Sequence, residues 1–306
     1  MSAPFVSIVE VGPRDGFQPI EQFIPTAQKL SLIDKLYDAG IRRMEATAFV
    51  SPRAVPQMAD APQLLAYCGD KPGLDVQVLV PSQRQAERAL AADARHLAFV
   101  LSVSPKHNQS NVLRTPRESV EDFRSIVAML PVYAKVRINL ATSFDCPFDG
   151  SVNPDEALDL IEALAEISPD SEYCLCDTTG RVTPDRVGEL FMRAKARFPQ
   201  IERWAFHGHD TYGLGVANAL AAYHAGVGVV DSSFGGLGGC PFAPGATGNV
   251  ATEDLVWTFA KMGVATGIDL TRLLDAAEDA AALPGACVGG RVRDALGAKA
   301  PLAEVV

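Results

Sequence analysis

Residues 5–40 read FVSIVEVGPRDGFQPIEQFIPTAQKLSLIDKLYDAG and contain one complete strand and helix. Residues 5–9 are β-rich, which favours a strand. Residues 26–39 carry apolar side chains at the spacing of one helical face, and the pattern stops at Gly40, a residue typical of the position just after a helix. The stretch therefore predicts a βα unit in which the helix packs back on its strand.

The same unit recurs along the chain. Further strand candidates lie at residues 43–47, 76–80, 96–103, 136–140, 172–176, 204–207 and 227–234. Helix candidates follow, among them residues 82–92, 120–130, 214–225 and 250–262, with further helices starting at Pro154 and Pro184. Eight such units in about 260 residues fit an α/β fold of the (β/α)8 TIM-barrel type better than an open doubly wound sheet.

The length fits one domain. A chain of 306 residues is long enough to bury a large core without disulfides. From residue 270 the pattern predicts an additional C-terminal helix and then a short irregular end. We therefore expect a single catalytic domain over residues 1–306, with the barrel at about 5–265 and a C-terminal helical extension at about 266–306.

Composition excludes several classes of function. The 27 Lys and Arg against 37 Asp and Glu give a formal net charge of −10, the wrong sign for a protein that binds phosphate backbones, so we expect no nucleic acid partner. No run of 18 apolar residues occurs, so we expect no membrane span. The six cysteines are scattered and no export signal is visible, which indicates a cytoplasmic protein.

In a TIM barrel the catalytic groups lie at the carboxyl ends of the strands. The polar residues predicted there are Glu10, Arg14, Asp15, Glu45, Asp177, His207 and His209, with Cys240 and Asn249 in the loop after the eighth strand. His207 and His209 are two residues apart on an extended segment, so both imidazoles point to the same side and can chelate one cation. Barrel closure places the first strand beside the eighth and near the seventh. Asp15 and Asn249 can then supply oxygen ligands for Mg²⁺ or Mn²⁺, or for zinc. Alternatively, the two histidines only satisfy backbone groups.

Two charged candidates are open to two interpretations. Arg14 is either a surface turn residue or a guanidinium placed over an anionic oxygen of a substrate, and its place after the first strand favours the second. Glu45 is either a carboxylate of the site or a structural acceptor at the barrel mouth.

The run Gly235-Gly236-Leu237-Gly238-Gly239-Cys240-Pro241 predicts a mobile loop. It does not open a helix, so it is not a nucleotide-binding fingerprint. Cys240 is a candidate reactive thiol because an exposed cysteine near a cation favours the thiolate. Cys174 and Cys176 lie inside a predicted strand without a second pair of zinc ligands, and we interpret them as core.

Several motifs occur together and in order. They are VEVGPRDGFQ at residues 9–18, EATAFVSP at 45–52, CPF at 146–148, DT at 177–178, HGHDTYG at 207–213 and the run from Asp231 to Asp254. From about residue 5 to 275 the chain resembles the hydroxymethylglutaryl-CoA lyase family. The resemblance implies a divalent-metal-dependent retro-aldol cleavage of 3-hydroxy-3-methylglutaryl-CoA to acetyl-CoA and acetoacetate, a reaction of leucine degradation. It also implies an acyl-CoA thioester as partner and a homo-oligomer, either a dimer or a tetramer.

The resemblance also assigns roles residue by residue. It implies Asp15, His207, His209 and Asn249 as the metal ligands. Arg14 matches the group over the thioester carbonyl, Cys240 the loop thiol, Glu45 a site carboxylate and Asp177 a polar residue of the active site. Asp15 or His207 is expected to relay the hydroxyl proton, and Cys240 to donate the proton that completes acetyl-CoA.

Two departures from the family pattern bear on the substrate. The family commonly has Leu-Gln-Asn-Glu after Gly16, where this chain has Phe-Gln-Pro-Ile at residues 17–20, and residues 102–108 lack an expected Ser-Glu pair. A different branched 3-hydroxyacyl-CoA is therefore an alternative substrate. Lys106 and Arg114 are either solvated surface residues or contacts for the CoA phosphates. The remaining alternatives are a condensing acyl-CoA synthase and a catalytically silent metal- or CoA-binding protein.

Overall fold

The fold is a closed barrel of parallel strands, seen in a computed structural model that describes residues 4–239 and 248–297. The barrel strands are β1 (Ser7–Glu10), β2 (Arg43–Ala48), β3 (Asp75–Val80), β4 (His96–Ser102), β5 (Lys135–Ala141), β8 (Glu172–Asp177), β9 (Trp204–Gly208) and β10 (Val229–Ser232). They lie in the order β1-β10-β9-β8-β5-β4-β3-β2, and β2 pairs with β1 to close the ring. The predicted TIM barrel is confirmed.

Helices surround this barrel. They are α1 (Thr26–Asp38), α2 (Ala61–Gly69), α3 (Gln83–Ala91), α4 (Pro105–Val112), α5 (Pro116–Met129), α6 (Pro154–Ala165), α7 (Pro184–Arg197), α8 (Gly215–His224), α9 (Thr252–Lys261), α10 (Leu270–Ala281) and α11 (Arg291–Gly297). A small antiparallel hairpin, β6 (Asp145–Cys146) and β7 (Gly150–Ser151), follows β5. Within the described residues, no helix combines the length and the apolar character needed to cross a membrane.

Local sequence explains where several helices begin. Thr115 and Glu118 form a reciprocal capping box at the start of α5, and the Asn153 side chain accepts a hydrogen bond from the N–H of Asp155 at the start of α6. The spacing of Leu30, Ile33 and Leu36 predicted helix α1, and Ile33 and Leu36 are buried there together with Leu32, while Leu30 is partly buried.

Three helices were missing from the sequence prediction. Helix α2 is short and has proline in its first turn, and α4 reads PKHNQSNV, which has no apolar periodicity. Helix α11 replaces the irregular end expected after α10. Its first N–H groups, those of Arg291 and Val292, are capped by the carboxylate of Asp254 at 3.0 and 2.7 Å. Since the cap lies far away in sequence, no local signal announces the helix.

Both apolar and charged side chains are buried in the barrel. Apolar side chains such as Leu36, Phe99 and Phe206 are completely buried in the large hydrophobic cluster, to which barrel strands and surrounding helices both contribute. Charged side chains instead cross the barrel interior. Arg43 on β2 contacts Glu172 on β8 at 2.9 Å, although these strands lie on opposite sides of the ring. The interior is therefore held together partly by ion pairs.

Candidate active site

The loop after β1 carries two predicted site residues in one wide helical turn, Gly12–Gly16. Its backbone closes through a hydrogen bond from the N–H of Phe17 to the carbonyl of Gly12 at 2.9 Å. Glu10 anchors both sides of this region, because its Oε1 accepts hydrogen bonds from the N–H of Gly12 at 2.7 Å and of Phe234 at 3.1 Å. The turn places Arg14 and Asp15 at the barrel mouth.

Three side chains meet there in an arrangement that suits a metal ion. Single ligand atoms of Asp15, His207 and His209 all lie within 4.8 Å of one another. The Nε2 atoms of both histidines are 3.9 Å from Oδ2 of Asp15. His207 and His209 lie at the end of β9 on the same side, as the spacing predicts, and Gly208 is required between them because a Cβ there would lie 2.7 Å from the ring of Phe206.

Asn249 joins the cluster through backbone pairing. The N–H of Asp210 donates to the carbonyl of Gly248 at 3.0 Å, which ties the segment after the eighth barrel strand to the end of β9. The Asn249 side chain donates to Oδ2 of Asp15 at 2.8 Å, and its own Oδ1 is buried without a hydrogen-bond partner. Two imidazoles, a carboxylate and an amide oxygen that lacks a partner form a donor set that fits a divalent cation.

The other ring nitrogens fix how the imidazoles are used. Nδ1 of His207 lies 3.1 Å from Oδ2 of Asp231, and Nδ1 of His209 lies 2.8 Å from the backbone carbonyl oxygen of Asp177. Both partners are acceptors, so Nδ1 carries the proton in each ring. In the neutral form of each ring, Nε2 then faces Asp15 with its lone pair, which is the orientation that a metal ligand requires.

The charges in the cluster shift its pKa values in opposite directions. Although burial favours the neutral acid, the charges of Arg14 and the two imidazoles hold the pKa of Asp15 well below its usual range. Burial lowers the pKa of His209 to about 4, and the neighbouring His207 adds to this effect. For His207, burial is outweighed by the hydrogen bond to Asp231 and the nearby Cys176 and Asp15, which raise its pKa to about 9.

Arg14 is held between two carboxylates. Its Nε donates to Glu45, its Nη1 donates to Asp15, and Arg14 and Glu45 are almost completely buried. Of the two interpretations of Glu45, the contact favours an acceptor that positions Arg14 at the mouth. Glu45 is not one of the three residues of the His/Asp cluster.

Asp177 contributes to the site in an unexpected way. Its backbone carbonyl positions His209, while its carboxyl group is fully buried. Burial raises the pKa of that carboxyl to about 7, and the backbone N–H groups of Gly180 and Val182 offset the shift only in part. A catalytic role for the Asp177 side chain stays a prediction.

A cavity of about 500 Å³ opens over the cluster. Its lining includes Arg14, Asp15, His207 and His209. Among the lining residues that were not predicted for the site are Gln18, His107, Asn139 and Cys176. The Ser102 hydroxyl lies 2.7 Å from Nδ1 of His107 in this wall. His107 lies in α4, which lacks apolar periodicity. The one sequence signal for His107 as a site residue was its place in residues 102–108, which differ from the family pattern.

The remaining expectations have different outcomes. Cys240 lies outside the described residues. Cys174 and Cys176 are buried as predicted, but Cys176 also lines the cavity. Lys106 is largely exposed and pairs with Asp149, whereas Arg114 lies in the cavity wall.

The described part of the glycine run is packed rather than open to solvent. Residues 235–238 are buried, and a Cβ on Gly236 would lie 2.8 Å from the backbone of Gly289. Glycine at position 236 is therefore required for the close contact between these two backbone segments.

Comparison with known proteins gives consistent matches. The HMGL-like family model matches residues 5–280. The mitochondrial hydroxymethylglutaryl-CoA lyase of Rattus norvegicus is 40% identical over 274 residues, covering 89% of this chain and 84% of the relative. The mitochondrial enzyme of the same name from Homo sapiens is 38% identical over 272 residues, covering 89% and 83%.

Solved structures agree with these sequence matches. The HMG-CoA lyase of Bacillus subtilis superposes with a TM-score of 0.91 at 35% identity, covering 97% of this chain and all of the other. An HMG-CoA lyase from Acinetobacter baumannii, solved in complex with coenzyme A and 3-methylmalate, superposes with a TM-score of 0.90 at 36% identity, covering 96% and 97%. The similarity therefore extends over nearly the whole chain.

Proposed function

Because the chain belongs to the HMGL-like family and is a carbon–carbon lyase of the hydroxymethylglutaryl-CoA lyase type, we propose that it cleaves 3-hydroxy-3-methylglutaryl-CoA to acetyl-CoA and acetoacetate with a divalent cation, Mg²⁺ or Mn²⁺. The observation that carries this proposal is the cluster of Asp15, His207 and His209 within 4.8 Å, beside Arg14 in one cavity. The cation would be held by these three residues and Asn249. When bound, it supplies Lewis-acid charge for the oxygen atoms of the substrate.

The reaction breaks the bond between C2 and C3 of the acyl chain. The proton of the C3 hydroxyl leaves, the C3–O bond becomes the ketone of acetoacetate, and the bonding electrons move to C2 as the enolate of the acetyl thioester. A proton delivered to C2 completes acetyl-CoA, so protons balance overall. The site must therefore accept one proton, stabilise one developing oxyanion and return one proton.

Arg14 is placed to stabilise the enolate oxygen. Glu45 and Asp15 hold its guanidinium at the cavity wall, so the positive charge is oriented before the reaction begins. Because little reorganisation is needed when charge develops, this fixed group lowers the barrier more than a mobile cation would.

We assign the proton steps to groups at the mouth. Asp15 and His207, the two predicted acceptors of the hydroxyl proton, both line the cavity. Asp15 is the one that keeps a free lone pair when Nε2 of His207 holds the cation, so we assign this step to Asp15. Cys240 donates a proton to C2, and its place directly after Gly239, which also lines the cavity, supports this role. Asp177, whose backbone carbonyl contacts His209 and whose buried carboxyl has a pKa of about 7, is a further candidate acid.

A related branched 3-hydroxyacyl-CoA is the second candidate substrate. It is favoured by His107, which lies in the cavity wall in one of the two segments that depart from the family pattern, paired with Ser102 at 2.7 Å. Gln18, in the other departing segment, also lines the cavity. A polar wall at these positions suits an acyl chain with an additional polar group.

The test uses purified protein treated with a chelator and then supplied with Mn²⁺ or Mg²⁺. A panel of branched 3-hydroxyacyl-CoA thioesters that includes 3-hydroxy-3-methylglutaryl-CoA is assayed for acetyl-CoA and the matching keto acid. We expect metal-dependent release from at least one thioester and a large loss in Cys240→Ala. Absence of acetyl-CoA from the whole panel, with metal still bound, would favour a silent binding protein. Product formation only from acetyl-CoA and 2-oxo acids would favour a synthase.

The wider setting of the enzyme is part of the same proposal. We place it in leucine degradation in the cytoplasm, as a homo-oligomer, with an acyl-CoA as its partner and residues 1–306 forming a single catalytic domain. The similarity to lyases over 89% of the chain and the solved relative in complex with coenzyme A support the acyl-CoA partner. Size-exclusion chromatography with light scattering tests the oligomeric state.

A further inference from the structure

The two imidazoles of the candidate metal site rest on chemically different partners. His209 donates from Nδ1 to a neutral backbone carbonyl at 2.8 Å, whereas His207 faces the carboxylate of Asp231 at 3.1 Å. A carboxylate that accepts a hydrogen bond from Nδ1–H makes an imidazole a stronger electron donor at Nε2 than a carbonyl in the same place does. The two rings are therefore unequal donors.

Asp231 has few ways to move. It is 4% exposed, and its Oδ2 accepts hydrogen bonds both from His207 and from Nη2 of Arg137, the latter at 2.7 Å. Its Oδ1 is buried without a hydrogen-bond partner. Because both bonds converge on Oδ2, one carboxylate oxygen links the guanidinium of Arg137 to the ring of His207.

Arg137 in turn is buried and contacts polar groups of three barrel strands. It is 1% exposed, its Nε donates to Asn139 at 2.8 Å, and its Nη1 lies 3.3 Å from Glu172. Strands β5 and β10 are not neighbours in the ring, so the contact between Arg137 and Asp231 crosses the barrel interior. The guanidinium lies in hydrogen-bonding contact with Oδ2 of Asp231 and so holds this carboxylate in place behind His207.

We propose that Asp231, held by Arg137, is a positioning residue that fixes His207 in the Nδ1–H form with Nε2 directed at the cation. The inference rests on the proposed metal-dependent function. Asp231 and Arg137 are not among the proposed metal ligands, and a role in positioning His207 accounts for their buried ion pair beside the site. The competing view is that the pair has only a structural role in the barrel. In that case, removing both charges together would leave Mn²⁺ binding and the His207 ring unchanged.

Three changes separate these views. Asp231→Asn removes the charge but keeps an oxygen that can accept from His207 and Arg137. Asp231→Leu removes the acceptor, and Arg137→Met combined with Asp231→Leu also removes the buried guanidinium that would otherwise be left unpaired. The matched control is Asp75→Asn, which alters another histidine–carboxylate pair, His96 to Asp75 at 3.0 Å, at the opposite end of the barrel.

Each protein is prepared without metal and titrated with Mn²⁺ by calorimetry. We expect Asp231→Leu to weaken Mn²⁺ binding about 10- to 100-fold, the usual effect of removing a group that orients a metal-ligating histidine, and Asp231→Asn to weaken it less. The double variant should regain thermal stability relative to Asp231→Leu without regaining Mn²⁺ affinity. Asp75→Asn should bind Mn²⁺ as the wild type does.

A second measurement does not depend on metal. Imidazole ¹⁵N NMR of the metal-free protein, recorded at a pH where the His207 ring is neutral, should show His207 protonated at Nδ1 alone in the wild type and a mixture of tautomers in the double variant. Unchanged tautomer populations together with wild-type Mn²⁺ affinity in the double variant would overturn the inference. If the wild type itself binds no Mn²⁺, the proposed function fails, while the NMR result still decides the role of Asp231. If Asp231→Leu does not fold, the double variant and Asp231→Asn carry the comparison.

Discussion

The guanidinium of Arg14, which follows β1, is anchored by the carboxylate of Glu45 on β2, and both side chains are nearly removed from solvent. A buried charge is tolerated only when it is paired, so the carboxylate of Glu45 allows the positive charge of Arg14 to lie buried at the barrel mouth. The site thereby keeps an electrostatic group in position before any substrate enters.

Replacing Arg14 is expected to affect catalysis strongly. Arg14→Gln and Arg14→Lys should each lower kcat by about 10²- to 10³-fold, as removal of one oxyanion-stabilising donor does. Glu45→Gln should lower it less, because an acceptor remains while the fixed charge partner is lost. Steady-state kinetics with the best thioester check this. Arg95→Gln, at a side chain that is 74% exposed, is the control, and an equal loss in that variant would contradict the assignment.

Removing one imidazole should remove the metal. His209→Ala deletes one of the three clustered donors, so Mn²⁺ retained after gel filtration should fall to near the background measured for metal-free protein. Inductively coupled plasma mass spectrometry gives the content. His224→Ala, at an exposed histidine that ends α8, should retain wild-type metal. Unchanged metal content in His209→Ala would show that the ion is bound elsewhere.

Glu10 should make the stability of the protein depend on pH. Burial raises its pKa from about 4.5 to about 8. Between these two values the folded state binds more protons than the unfolded state, so the free energy of unfolding falls as the pH rises. The stability contributed by the neutral carboxyl is therefore complete below pH 4.5 and is lost as the pH rises through about 8. Glu10→Gln cannot ionise, and its amide can still bond Gly12 and Thr252.

Urea unfolding at several pH values measures this effect. The free energy of unfolding of Glu10→Gln should rise relative to wild type by roughly 1.4 kcal/mol for each pH unit inside the window. Glu118→Gln is the control, because the pKa of Glu118 is lowered by its hydrogen bonds with Thr115 and has no reason to change in that window. Parallel curves for wild type and Glu10→Gln would show that Glu10 is ionised throughout.

Two glycines should respond differently to the same substitution. Gly213 and Gly236 both have positive φ, 75° and 59°, so alanine at either costs about 1–2 kcal/mol of backbone strain. Only Gly236 also faces backbone, at 2.8 Å, so Gly236→Ala should cost about 1–3 kcal/mol more, as overpacking usually does. Thermal unfolding of the two variants provides the comparison. Equal costs would mean that the segment around Gly289 yields easily.

Much of the fold follows from local pattern. The helical face of α1 and the capping residues Thr115 and Asn153 are visible in the sequence, because helix periodicity and capping depend on residues only a few positions apart. The placement of α11 is not visible, because its cap, Asp254, lies far away along the chain.

The candidate site was also predictable from the sequence only in part. The sequence by itself determined that His207 and His209 face one side, because alternate residues of a strand always do, and that polar groups collect at the strand ends. Only the tertiary structure decided that Asp231 and Arg137 lie behind His207, that the carbonyl of Asp177 lies behind His209, and that His107 enters the cavity wall. These contacts join strands and helices that are distant in sequence, and closure of the barrel alone brings them within hydrogen-bonding distance.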